Sequence, residues 1–310
     1  MKLTEGKVFD MAKPDEVTSY LKNLKRHKIT VSPDKLFIFG ENEKLFVAVN
    51  GVGKIVLPLR KAFVYKLLRW FHFPMRQLSL LNTETVVSIL NDYLLSIKSP
   101  VVHVKIENGE ALTITSDNYT EIGDLYLLET FRDYGITAVT RNDFMMRVYY
   151  NGKVKEEIFA GDMYNFGVNI VNSETGFRAL SVYHYVLRLV CSNGLIARTL
   201  KSESRIHYGF KPDELKEFVK DRIDKSYESK SKVVNAIKKS ARRQASSVNK
   251  DFTGRISSIV GKENAREIFE GINDNSSLYE LTNRVTNFAQ RLEVGKRFAL
   301  EELAGKMIMN

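Results

Sequence analysis

The chain is expected to fold as α+β: an antiparallel sheet with helices on one face, followed by a long basic helix and a helical C-terminal tail. Three observations in its 310 residues carry that expectation. Residues 99–211 hold short runs of β-branched and aromatic residues broken by Asn-Gly pairs, a β-rich core. From Pro212 to residue 310 the apolar positions recur at helical spacing, beginning with Leu215, Val219, Ile223 and Tyr227. Residues 1–98 mix both periods and form a separate α/β segment.

Pro14-Asp15-Glu16 reads as a helix start, with carboxylates in the first turn where the helix dipole favours them. Residues 36–40, 45–49 and 54–57 are short β-type runs separated by Glu41-Asn42-Glu43 and Gly51, a small antiparallel meander. The spacing of Phe63, Leu67, Trp70 and Phe71 predicts a helix over 61–73, and that of Val86, Ile89, Leu90 and Leu94 one over 83–97. Asn108-Gly109 and Asn151-Gly152 each lie between two apolar runs. An Asn-Gly pair supplies the positive φ values of a type I′ turn, so each predicts a hairpin. A helix over 123–131 and strands over 166–171, 177–185 and 205–210 complete the core. Beyond Pro212 the stripe continues through Val234, Ile237, Ala241, Ala245 and Val248, one long helix with a kink or split at Ser229-Lys230-Ser231. Shorter helices follow, divided by Gly261, by Asn273-Asp274-Asn275 and by Gly295.

At 44% hydrophobic and 27% charged residues, the composition excludes disordered, collagen-like and disulfide-stapled classes. The single cysteine, Cys191, cannot form an intramolecular disulfide. No run approaches the roughly 18 apolar residues of a membrane span, and the first residues lack a secretory core. A cytoplasmic protein with no membrane partner is expected.

Lys and Arg number 47 against 37 Asp and Glu, a formal charge of +10 that favours an anionic partner. The surplus is concentrated: residues 198–250 hold 15 basic and seven acidic side chains, with no acid between Ser229 and Lys250. On one continuous helix, Lys238/Arg242 and Lys239/Arg243 are i,i+4 pairs stacked away from Ile237 and Ala241. Like charges so placed repel, and bound phosphates offset the cost. Lys238, Lys239, Arg242 and Arg243 are the expected phosphate contacts, with Lys201, Arg205 and Lys232 extending the track. A merely solvated helix face is the bland alternative. Tyr183, Tyr185, Tyr208 and Phe210 either stack on unpaired bases or pack in the core as alternate strand residues.

Catalytic signals are weak. Asn50-Gly51-Val52-Gly53-Lys54-Ile55 fails the phosphate-loop pattern at both ends. The five histidines are scattered, with no pair at i,i+4 and no CxxC, so no metal site and no cofactor are implied. His184 and Cys191 have no identifiable orienting third group. Asp117, Asp162 and Glu174 lie near turns and would serve a metal-dependent nuclease only if they converged.

Several motifs nevertheless occur in a recognisable order: Ser116-Asp117-Asn118-Tyr119, Gly161-Asp162, Asn172-Ser173-Glu174-Thr175-Gly176, Arg188-Leu189-Val190-Cys191-Ser192-Asn193-Gly194 and Arg205-Ile206-His207. This series resembles a family of phage/plasmid-like proteins that share a domain of unknown function. Leu278-Tyr279-Glu280-Leu281-Thr282-Asn283 and Leu303-Ala304-Gly305 are similar to its helical tail. The resemblance spans residues 110–307 and implies occurrence on mobile elements beside replication and recombination genes, with no assigned activity. Within it, Arg188 is expected to pair with an interior acid such as Glu174 or Asp162, or else to hold a phosphate.

The expectation is therefore a non-enzymatic, sequence-tolerant nucleic-acid-binding protein of a mobile element. DNA is favoured over RNA and single strands over duplex, with room for a homo-oligomer. A sheet followed by a long basic helix resembles the layout of single-strand annealing proteins. The alternatives are the nuclease built on Asp117, Asp162 and Glu174, and an oligomeric assembly or host-interaction protein using an exposed Trp70-Phe71-His72-Phe73 cluster.

Overall fold

The computed structural model describes residues 1–51, 53, 55–188, 193–197, 204–205, 212–228, 230–248 and 250–309, with backbone alone at 151–154, 193–197, 204–205, 212–213, 226–227 and 250. Its first half runs β1 (Phe9–Ala12), α1 (Pro14–Lys22), β2 (Arg26–Val31), β3 (Leu36–Glu41), β4 (Lys44–Val49), β5 (Ile55–Pro58), α2 (Lys61–Trp70), α3 (Thr83–Leu95), β6 (Val102–Glu107), β7 (Glu110–Ser116) and α4 (Asp124–Thr130). The second half runs β8 (Ile136–Arg141), β9 (Met146–Phe159), β10 (Asp162–Asn172), β11 (Leu180–Arg188), β12 (Asn193–Ala197) and β13 (Ser204–Arg205). It closes with α5 (Pro212–Glu228), α6 (Lys230–Ser240), α7 (Lys250–Val260), α8 (Lys262–Phe269), α9 (Leu278–Ala289) and α10 (Val294–Met309).

The architecture is α+β with antiparallel sheets, as the alternating core and helical tail predict. The largest sheet has the order β1-β8-β9-β10-β11-β12, with β13 also on β11; β2-β6-β7 and β3-β4-β5 form two smaller ones. The Asn108-Gly109 hairpin forms as expected: both residues take positive φ, +52° and +82°, and join β6 to β7. Asn151-Gly152 does not turn the chain. β9 continues through it to Phe159, because β10 pairs along the whole strand, and the residues between Asn151 and Lys155 are absorbed as a register shift opposite Asn165–Gly167. The turn falls instead at Gly161, whose φ is +75°.

Alternating residues of the large sheet face opposite sides. Val148, Ile170 and Val182 share a cross-strand row and meet α1, α4 and α5 through Val17, Leu127, Leu215 and Val219. The adjoining row, Tyr149, Asn169 and Tyr183, faces the other way, and Tyr149 and Tyr183 pack against Phe298 of α10. Helices therefore cover both faces, one more than the expected single face. Leu300, Leu303, Ala304 and Met307 of the same helix pack into the core shared by α6 to α9, so α10 is buried nearly all round. Its buried charges are paired, Glu301 with Arg147, Arg297 with Asp10 and Glu302 with Lys306. Gly295, expected between helices, lies in its first turn. A separate core beneath the meander joins Phe63, Val64 and Leu67 of α2 to Leu90 of α3 and Val104 and Ile114 of the β2-β6-β7 sheet.

Two expectations along the chain change. The boundary placed at 98/99 is crossed by strand pairing, since β2 pairs with β6 and β1 with β8. The basic helical stretch, expected to kink or split at Ser229-Lys230-Ser231, is described as α5 and α6 on either side of Ser229, which lies outside the described residues, and α6 stops at Ser240 instead of reaching Val248. The cause is tertiary. Leu278 N donates to Arg243 O at 2.7 Å and Ala245 N to Ser276 O at 2.7 Å, while Gln244 bridges Ser277. The backbone of 243–245 is thus paired with the start of α9, where Ser277 and Glu280 form a reciprocal cap.

Candidate functional site

The expected phosphate track is only partly assembled. On α6, Val233, Val234, Ile237 and Ser240 are buried and Lys232, Lys238 and Lys239 are exposed. Lys232 and Lys239, seven residues apart, align within about 20° of one another. Arg242 and Arg243 do not stack above Lys238 and Lys239, because they lie in the turn beyond the helix; Arg242 is exposed and Arg243 half-buried. No described carboxylate forms an ion pair with any of these five, whereas Lys230 is taken by Glu156 at 2.5 Å. The backbone of Arg205 lies opposite Leu180 in β13, and Lys201 lies outside the described residues.

Of the proposed stacking aromatics, Tyr183 and Tyr185 are buried core residues, and Tyr208 and Phe210 lie outside the described residues. Phe71 stacks on Tyr93 at 4.4 Å, and Trp70, Phe71 and Phe73 are half-buried against the core under the meander, so the cluster is not an exposed contact. The three acids of the nuclease reading are kept apart. Asp162 opens β10 and Glu174 follows its end, on the order of 35 Å away at about 3.3 Å per residue. Asp162 accepts from Arg188 Nε at 2.7 Å and from the hydroxyls of Tyr164 and Tyr279, so Arg188 has the interior acid partner expected of it. Asp117 is exposed and lies 3.3 Å from His103 Nε2. These three cannot share an ion, and among the described residues no group of three His, Cys, Asp or Glu could hold a metal.

A different site is built where the small and large sheets meet. A cleft of about 480 Å³ is lined by Lys66, Arg69 and Trp70, by Thr115 and Ser116 at the end of β7, by Tyr119, and by the 176–179 loop that leads into β11. Lys66, Arg69 and Trp70 stand at i, i+3 and i+4, which places them on one face of α2. Lys66 Nζ donates to Gly176 O at 2.8 Å and lies 5.9 Å and 5.8 Å from the ring centroids of Tyr119 and Phe177. The Arg69 guanidinium lies 5.2 Å from the Phe177 ring, and that of Arg178 4.8 Å from Phe298. Among the described residues, no carboxylate lines the cleft. Burial, reinforced by Arg69, pulls the Lys66 ammonium down to about 8.

The cleft is held by buried charge behind it. Glu174 meets Arg26 at 3.1 Å and Lys105 at 3.3 Å, lies 3.7 Å from Arg141, and accepts from the backbone N of Asp124. These cations hold the Glu174 carboxyl below the usual carboxylate range, while burial and Glu174 itself hold that of Asp124 above it. Around Glu174 the loop is pinned: Tyr119 donates to Ser173 O at 2.8 Å, Thr175 Oγ1 to Asp143 O at 2.8 Å, and Phe177 N to Ser173 Oγ at 2.9 Å. Two of the sequence motifs, Ser116–Tyr119 and Asn172–Gly176, are thereby brought to one wall.

Gly176 would carry a side chain only under strain. Its φ is +75°, and a Cβ would stand 2.5 Å from Lys66 Nζ and 3.3 Å from Tyr119. Gly176→Ala should lower stability by about 1–2 kcal/mol through the left-handed backbone alone, read by urea unfolding. Gly254→Ala is the control: its Cβ meets nothing within 4 Å in the middle of α7, and it should raise stability by about 0.5–1 kcal/mol. Equal effects would remove the constraint assigned to Gly176.

The helix expected over 61–73 rests on Phe63, Leu67, Trp70 and Phe71, and nothing in that apolar spacing marks the cleft. The usable signal was the i,i+3,i+4 spacing of Lys66, Arg69 and Trp70; nothing local pairs α2 with a loop 110 residues away. Comparison of the chain with protein-family models, with curated proteins and with solved structures finds no match.

Proposed function

We propose that the protein binds nucleic acid without reading its sequence, single strands in preference to duplex and DNA in preference to RNA. The observation that carries this is the exposed cationic surface of α6 and its following turn, where Lys232, Lys238, Lys239 and Arg242 have no described acidic partner. Clustered cations without local counter-charges gain most from a polyanion, since each phosphate they neutralise releases condensed counterions. A mobile-element setting rests on the motif resemblance alone.

Anisotropy of labelled single- and double-stranded oligonucleotides across a salt series tests the reading. Wild type should lose affinity steeply with salt. Removing two phosphate contacts with Lys239→Glu/Arg242→Glu should flatten the log–log slope by about 1.4, at roughly 0.7 per phosphate on a single strand. Both side chains are exposed, so the fold should be untouched. Unchanged affinity and slope in this variant would defeat the proposal.

A further inference from the structure

The cleft between α2 and the 176–179 loop has no place in the α6 surface. Its loop immediately precedes Leu180, the first residue of β11. Lys230, at the start of α6, instead lies over Phe166, which pairs with Val186 near the other end of that strand. Six residues of β11 separate the two, about 20 Å at 3.3 Å per residue.

Its lining narrows the ligand. Lys66, Arg69 and Arg178 supply three cations with no carboxylate among the lining residues, so an occupant must be anionic. Lys66 is the most telling of the three. Its ammonium is drawn out of water between Tyr119 and Phe177 with a carbonyl as its polar partner, a position that a bound anion would stabilise. Inorganic phosphate would use the cations but not the aromatic wall formed by Trp70 and Phe177. A lipid chain would use the rings without needing three charges. A flat aromatic group carrying phosphate uses both, by stacking and by charge-assisted hydrogen bonds. The hydroxyl-bearing Thr115 and Ser116 add donors and acceptors suited to a base edge. The volume of about 480 Å³ lies within the range of small-ligand sites, roughly 300–1,000 Å³.

We propose that this cleft binds one nucleoside monophosphate unit, its base against Trp70 and Phe177 and its phosphate between Lys66, Arg69 and Arg178. The unit comes either from a free nucleotide or from a nucleic-acid strand, and the chemistry of recognition is the same. The assignment stands independently of the α6 surface.

Trp70 is the only tryptophan in the chain, so emission excited beyond the tyrosine band reports the cleft alone. Adenosine 5′-monophosphate, thymidine 5′-monophosphate, adenosine, inorganic phosphate, a phosphotyrosine peptide and an oligothymidylate are titrated against the full chain. Saturable quenching by the monophosphates, at least tenfold tighter than by adenosine or phosphate alone, is the expected result. It should weaken at least tenfold in Arg69→Gln and again in Arg69→Gln/Arg178→Gln, both positions being exposed. Quenching by the oligothymidylate at comparable affinity identifies the strand as source; quenching by the monophosphates alone identifies the free nucleotide. Absence of saturation with every nucleotide, equal affinity for phosphate alone, tighter binding of the phosphotyrosine peptide, or indifference to Arg69 and Arg178 would each overturn the proposal. Oligonucleotide anisotropy that survives such a failure leaves the α6 reading standing, and the converse result leaves only the cleft.

Discussion

Replacing Glu174 with glutamine should lower the unfolding free energy by about 3–5 kcal/mol, the cost of removing one partner from a buried ion pair. The side chain is almost wholly enclosed, and Lys105 and Arg141 behind it are also buried. Glutamine keeps the shape and removes the charge, so positive groups out of reach of water lose a counter-ion. Glu107 cannot take over, because it already serves Arg26, Arg60 and Arg141. Urea unfolding with an unchanged m value reads the loss directly. Asp117→Asn, on the exposed side of the same motif region, should stay within about 0.5 kcal/mol. The pH dependence has a defined sign. Glu174 is held below its unfolded value of about 4.3, so its contribution is complete above that value and is lost as pH falls through the lower folded value. In the variant this part of the acid limb should vanish. A cost below 1 kcal/mol would mean that Glu121 on Lys105, Asp124 on Arg141 and Glu107 on Arg26 are sufficient counter-charges without Glu174.

The second large effect concerns Arg147. Its guanidinium is buried, donates to Glu301 of α10 at 2.8 Å, and lies between the rings of Tyr149 and Phe298 at 4.9 Å and 4.7 Å. Arg147→Met strands the Glu301 carboxylate and should cost about 3–5 kcal/mol. Arg147→Met/Glu301→Leu should recover most of that loss, because two apolar side chains of similar volume need no desolvated charge. The coupling is read from a double-mutant cycle in urea. A double variant no more stable than the single one would show that the pair contributes geometry between sheet and helix that hydrophobic packing cannot replace.

Legibility in the sequence followed locality. Asn108-Gly109 was readable because the two residues that demand positive φ are themselves the turn. Asn151-Gly152 carried the same signal and was overruled by a neighbouring strand long enough to pair straight past it. The stripe of Leu215, Val219 and Ile223 faces the sheet as its spacing requires. The stop at Ser240 was invisible, since it depends on backbone pairing with residues 276–278. For the same reason the basic track read as one ridge but is divided between a helix face and a turn. Trp70 and Phe177 approach one cleft from segments that no period connects.

The pairing of early with late segments bears on how the molecule assembles. Phe9 lies opposite Arg141, Arg26 opposite Glu107, and Asp10 forms an ion pair with Arg297, 287 positions along the chain. Closing such distant contacts precedes any reward from them, which places folding toward the slow end of the range for single domains. Expressed alone, the first 98 residues would present two strands with bare edges, an invitation to aggregate.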